Sequence, residues 1–144
     1  MSFQAFDRLA DQSRDAVLLA SRVLLALIFV ISGFGKLTGF EGFVGTLAAR
    51  GLPLPTLWAV AGVAAEFLGS LCILLGLWVR PAALVMFVFT AFTALIAHRF
   101  WAADAATYQL QWIQFMKNLA IMGGFLALFV AGPGAFSIDR RGRR

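Results

Sequence analysis

Lys36, Glu66, His98 and Lys117 are ionisable side chains that lie in, or at the end of, long apolar runs. An ionisable group at the centre of hydrocarbon costs roughly 2.5–3.5 kcal/mol even on forgiving insertion scales. A chain that keeps several of them is expected to gather them in a bundle interior and to pair them. The chemistry open to such a set is limited. A carboxylate accepts protons or hydrogen bonds, an ammonium donates to an anionic or carbonyl oxygen, and an imidazole with an ordinary pKa near ~6.5 moves protons at neutral pH. One histidine with no cysteine partner and no second carboxylate beside it is a poor metal site, so no metal is expected. The single cysteine, Cys72, excludes an intrachain disulfide and a two-cysteine redox relay, and it reads as a small buried hydrophobe.

Helical periodicity says which side chains share a face. Arg22, Phe29 and Lys36 recur every seven residues, with Ser32 and Gly33 beside them. Gly62, Glu66, Gly69, Ile73 and Gly76 form a second stripe. This places Glu66 on a small-residue face where membrane helices approach closely. Thr90, Ala94, Ala97 and His98 cluster on a third helix, and Gln111, Gln114, Lys117, Asn118 and Ile121 on a fourth. If the runs alternate in direction, Lys36, His98, Gln114, Lys117 and Asn118 converge on the outer half of the bundle above Glu66. Lys117 is then the expected partner of Glu66, about one helical turn (~5 Å) away in depth. Arg22 is the alternative partner, as a structural ion pair.

The elements that must position these groups are four apolar runs near residues 16–36, 56–79, 81–98 and 111–132 of a 144-residue chain that is 61% hydrophobic and 13% charged. Each approaches the ~20 residues that cross ~30 Å of hydrocarbon. The fold class expected is all-α, a four-helix transmembrane bundle forming one domain over residues 1–144, with a basic tail at 133–144. Phe3, Phe6, Leu9 and Ala10 suggest a short interfacial helix before the first span. Thr38 and Glu41 fit a capping box that opens a second amphipathic helix, ended by Gly51, Pro53 and Pro55. This helix would lie on the outer surface as a lid. Trp58, Trp78, Trp101 and Trp112 fall at span ends, as interfacial aromatics do.

The net charge of +5 is unevenly placed. Arg8, Arg14, Arg80, Arg140, Arg141, Arg143 and Arg144 fall on one side of four alternating spans, whereas Lys36, Arg50 and Arg99 fall on the other. This is the positive-inside bias, and it puts both termini in the cytoplasm. The arginine tail reads as a topology anchor that touches anionic lipid. No aromatic interleaving or fold signature points to nucleic acid.

The stretch from Arg22 through Ser32-Gly33-Phe34-Gly35-Lys36 resembles the DoxX family of small four-span membrane proteins. So do the Gly51-Leu52-Pro53-Leu54-Pro55 connector, Glu66-Phe67-Leu68-Gly69-Ser70, the Lys117-Asn118 pair and the Gly132-Pro133-Gly134 ending. The likeness runs from about Leu18 to Asp139. It implies a four-helix bundle in a bacterial-type plasma membrane, and Arg22, Gly33, Lys36, Glu66, Lys117 and Asn118 match the family pattern. The family takes its name from a small subunit associated with a thiosulfate–quinone oxidoreductase.

Three functions fit these features. The first is a redox accessory subunit that holds a quinone or another lipophilic molecule through Lys36, Glu66, His98, Gln114, Lys117 and Asn118, in contact with redox protein subunits. The second is a scaffold or assembly factor whose charges only hold helices together. The third is a small-molecule carrier, which four spans without a broken helix or visible repeat disfavour. Whether the chain is itself an enzyme is left open, as no self-sufficient catalytic motif is present. The lipid bilayer is a partner in every case, and glycine faces such as Gly62/Gly69/Gly76 serve internal packing or a homo-oligomer equally well.

Overall fold

A long helix, α1, runs from Phe3 to Thr38, and a short one, α2, from Phe40 to Ala49. The second crossing is made of α3 (Pro55–Val63), one turn of π-helix over Ala64–Leu68, and α4 (Gly69–Leu75). Helix α5 covers Val79–Ala97, α6 Tyr108–Ala131 and α7 Ile138–Arg141. The computed structural model describes residues 3–141; Arg143 and Arg144 of the basic tail, and Met1, lie outside them. Among the described residues there is no strand. Four helices are long and apolar enough to cross a membrane: Phe3–Thr38, Pro55–Leu75, Val79–Ala102 and Tyr108–Ala131. The fold is therefore the expected all-α four-span bundle with a short helix between spans one and two.

Both described ends of the chain lie at one end of the bundle, the basal end; α2 lies at the other, the apical end. The core is a thin seam of Ala26, Phe29, Ile73, Ala83, Met86 and Phe125. Phe29 packs its ring 5.6 Å from Phe125 and 6.3 Å from Phe89. Only 17–28% of the apolar stretch of each span is buried inside the chain. The leucine, isoleucine and phenylalanine faces left over require an apolar surrounding, which is what a bilayer supplies. The hydroxyls of Ser70 and Thr90 donate to the carbonyls of Phe67 and Met86 on their own helices (3.0 and 2.7 Å), the usual way to satisfy a buried hydroxyl in a span.

Three local expectations change. Residues 3–15 form no separate interfacial helix; they continue α1 without a break. Nothing in this stretch stops a helix, since it contains neither proline nor glycine. The capping box at Thr38 does not form. Thr38 instead bonds back to Phe34 and Gly35 (3.1 Å each), and Gly39 precedes α2 with no side-chain cap. The second span ends at Leu75 rather than residue 79, because Gly76 takes a left-handed conformation (φ 74°). Trp78 is also left-handed (φ 47°), an unusual state for a bulky residue.

Asp139 explains that turn. Its carboxylate accepts hydrogen bonds from the backbone N–H groups of Trp78 (2.8 Å) and Val79 (3.1 Å) at the start of α5. Its own N–H donates to the Gly76 carbonyl (3.0 Å). The residues after α6 are thus folded back against the bundle and cap a span whose first amides would otherwise be orphans. At the apical end, Asp104 orders the loop into α6 in the same way. It accepts from the Thr107 hydroxyl and N–H, and these bonds hold its carboxyl below the usual range.

Gly76 is the tightest point of the basal end. A Cβ there would overlap the Arg22 guanidinium and come within 2.8 Å of the Ser137 backbone. Gly76→Ala is expected to lower thermal stability in detergent by more than the ~1–2 kcal/mol that a left-handed non-glycine residue alone costs. Gly35→Ala, where nothing lies within 4 Å, should shift stability by no more than about 0.5 kcal/mol. Paired melting curves of the two variants check this.

Candidate functional site: a lysine–glutamate pair beneath the apical helix

Glu66 sits in the middle of the π-helical turn Ala64–Leu68. Such turns insert one extra residue into a helix and are frequent at functional positions. The Glu66 side chain is 3% exposed, and its Oε2 lies 2.5 Å from the Lys36 ammonium, whose side chain is 28% exposed. Lys36 also donates to the Ser32 hydroxyl one turn below (3.1 Å). Its charge lies 5.4 Å from the centroid of the Phe43 ring of α2, within cation–π range. Lys36, Ser32, Glu66 and Phe43 thus form one polar locus, closed from above by the short helix. It contains the only salt bridge found among the described residues.

Gly33 makes the approach possible. A Cβ at this position would stand 3.0–3.1 Å from the Cβ, Cα and backbone nitrogen of Phe67. Only glycine lets α1 come this close to the π turn, and Lys36 follows one turn above.

The expected partner of Glu66 was Lys117, with Arg22 as the alternative; the structure gives Lys36. Side chains on a helix lean toward its N-terminus. Lys36 is near the end of an ascending helix, so it leans back into the bundle. Glu66 is on a descending helix, so it leans up to meet Lys36. Lys117 is near the top of a descending helix and leans away from the interior. It also lies one residue before Asn118, about 100° round the helix. Asn118 is buried and Lys117 is exposed.

His98 and Gln111 do meet, with Nδ1 and Oε1 3.1 Å apart, and bridge the ends of α5 and α6. Gln114 is half-buried on the same face of α6. Around the same apical loop, Phe100 packs edge-on against Trp101, Tyr108, Trp112 and Phe115 at 4.8–6.0 Å.

Arg22 forms no ion pair with Glu66. It is 1% exposed and lies at the basal end. Its guanidinium donates to the carbonyls of Ile73 and Leu74 (3.5 Å each) at the end of α4, and to the Phe136 carbonyl. Its Nε has no partner among the described residues. Apart from the depth of Arg22 in the span, nothing in the residue pattern signals this clasp, because carbonyl acceptors leave no mark in side-chain identity. Among the described residues, no three of His, Cys, Asp and Glu lie together.

The pair can do two things chemically. Lys36 has three ammonium donors, two of them used, which leaves one for an incoming oxygen. Glu66 uses one carboxylate oxygen on Lys36 and keeps acceptor capacity on the other. The two groups differ in what they leave behind. Lys36→Met strands a carboxylate inside the bundle and is expected to destabilise by ~1–3 kcal/mol or more. Glu66→Gln frees a partly exposed lysine, whose head can rise to the interface, and should cost less than ~1 kcal/mol. Thermal unfolding of both variants in detergent reads the asymmetry.

The DoxX family profile matches residues 17–99, a stretch that holds both members of the pair. Inner membrane protein YphA of Escherichia coli is 40% identical over 129 residues, 90% of this chain and 92% of that one. Inner membrane protein YqjF of the same organism is 40% identical over 126 residues, 88% of this chain and 92% of that one. No solved structure matches the chain. With four apolar spans, a family match over more than half its length and two relatives covered almost from end to end, the chain is an integral membrane protein that belongs to the DoxX family.

Proposed function

We propose that this protein is a membrane-embedded accessory subunit that holds a small lipophilic molecule with polar oxygens, quinone-like in chemistry, at the Lys36–Glu66 pair. The observation that carries this reading is the π-helical turn that presents Glu66 to Lys36 with one ammonium donor and one carboxylate oxygen unspent. A carbonyl oxygen suits the donor, and a ring hydroxyl suits the acceptor. Phe43 covers the ammonium, so access runs past α2, a short helix flanked by Gly39 and Gly51. His98 and Gln111 stand at the same apical end, and one imidazole nitrogen is left to pass protons between the site and water. The quinone would supply the redox chemistry; the chain's own residues would bind and orient its oxygens. A redox protein would be the partner.

A second reading, a scaffold without a ligand, is favoured by one feature: Lys36 and Glu66 already satisfy each other across α1 and the π turn. In both readings the chain lies in the plasma (inner) membrane with its arginine-rich basal end in the cytoplasm. The relatives named above are inner membrane proteins.

Native mass spectrometry of the protein extracted gently from its own membrane separates the two. A bound lipophilic molecule in the wild type, lost in folded Glu66→Gln, is the expected result. Co-purifying protein subunits with no small molecule in either would establish the scaffold instead.

A further inference from the structure

The basal end holds a cavity of about 1030 Å³, far from the Lys36–Glu66 pair and independent of it. Arg14, Arg80 and Arg140 line it, with Trp78 at its rim. Two of these arginines are held in place by the end of α6. Arg14 donates to the Ala131 carbonyl (3.1 Å) and Arg80 to that of Phe129 (2.9 Å). Each guanidinium carries five N–H donors, and these bonds use one apiece. The acidic groups in the same cavity are engaged by backbone amides. Asp139 spends both oxygens on the first amides of α5, and Asp15 uses one oxygen to accept from the Ala135 N–H (2.8 Å). What remains turned to the cavity is an excess of oriented guanidinium donors, the geometry suited to phosphate oxygens.

A second cavity, about 330 Å³, adjoins the first at Ala131, which lines both. It is an apolar groove between α1 and α6, lined by Leu18, Leu24, Leu25, Gly124, Ala127 and Leu128. From Ala131 to Gly124 it follows about 10 Å of helix at ~1.5 Å per residue, most of the ~15 Å depth of one leaflet's hydrocarbon. It exists because α6 packs extensively on α5 and only sparsely on α1. A cationic headgroup-sized cavity that opens into an apolar slot of leaflet depth fits one chemical class.

We propose that this composite site binds a single anionic glycerophospholipid, with its phosphate among Arg14, Arg80 and Arg140 and one acyl chain in the α1–α6 groove. The lipid fills the gap between the first and last spans and ties them to the basal turn.

The test uses the full-length protein in native mass spectrometry, with phosphatidylglycerol and phosphatidylcholine added separately and inorganic phosphate as a competitor. Phosphatidylglycerol adducts should outlast phosphatidylcholine adducts. Each of Arg14→Gln, Arg80→Gln and Arg140→Gln should weaken the preference about five-fold. Arg140 makes no hydrogen bond or ion pair among the described residues, so its variant keeps the test open if the other two unfold. Ala127→Phe, which blocks the groove and leaves the arginines, should abolish lipid retention. Equal retention of both lipids, or phosphatidylglycerol binding indifferent to all three arginine variants, overturns the proposal. So does binding that inorganic phosphate displaces fully and Ala127→Phe leaves intact, which would mark a free-anion site.

Discussion

Hydrocarbon offers no hydrogen bonds, so a charged side chain buried within the spans is costly unless the protein itself supplies partners. Two ionisable side chains set the terms, Glu66 midway along the second span and Arg22 near the basal end. Each is almost completely buried, and they are solved differently. Glu66 meets an opposite charge. Arg22 meets the carbonyl ends of α4 and of the segment after α6. Much else in the bundle follows from these two solutions. Gly33 lets α1 close on the π turn; Gly76 leaves room for the guanidinium. The post-α6 segment is drawn under the bundle, where Asp139 becomes the cap of α5.

The bundle was legible in the sequence because its signals are one-dimensional. Run length gave four spans, and heptad spacing put Arg22, Phe29 and Lys36 on one face of α1; Arg22 and Phe29 are buried there with the neighbouring Gly33, and Lys36 is partly exposed. The stripe through Glu66, Ile73 and Gly76 is likewise turned inward, and Asn118 is buried where the fourth stripe placed it. The tryptophans at the span ends are all exposed. What sequence could not give was direction along the helix axis. Depth alone made Lys117 the natural partner of Glu66. The lean of each side chain toward its own helix N-terminus, together with the exposed position of Lys117 around α6, chose Lys36. The π turn was equally hidden, since Ala64–Leu68 contains nothing that forbids an ordinary α-helix. The clasp on Arg22 and the cap by Asp139 rest on backbone atoms, which every residue shares.

The two ends of the molecule have opposite chemistry. The apical end holds a compact neutral pair under a short helix, with an imidazole and a cluster of aromatic rings close to the surface. The basal end is rich in arginine and braced by carbonyls and aspartates. A ligand that enters from the bilayer with its oxygens toward the apical surface, and a lipid that seats its phosphate at the basal surface, would occupy separate leaflets without competing. That separation follows from the alternation of helix direction, which sends α1 from Arg22 at one end to Lys36 at the other.

The central claim is that Lys36, and not Lys117, holds Glu66 in the membrane. A double-mutant cycle in lipid nanodiscs tests it most directly, with Lys36→Met, Glu66→Leu and the double variant compared by thermal unfolding. Strong non-additivity is expected, about 0.5–3 kcal/mol, with the double variant more stable than Lys36→Met alone because no carboxylate is left stranded. The same cycle with Lys117→Met should be additive. Additive losses for Lys36 and Glu66, or a coupling that appears with Lys117 instead, would contradict it.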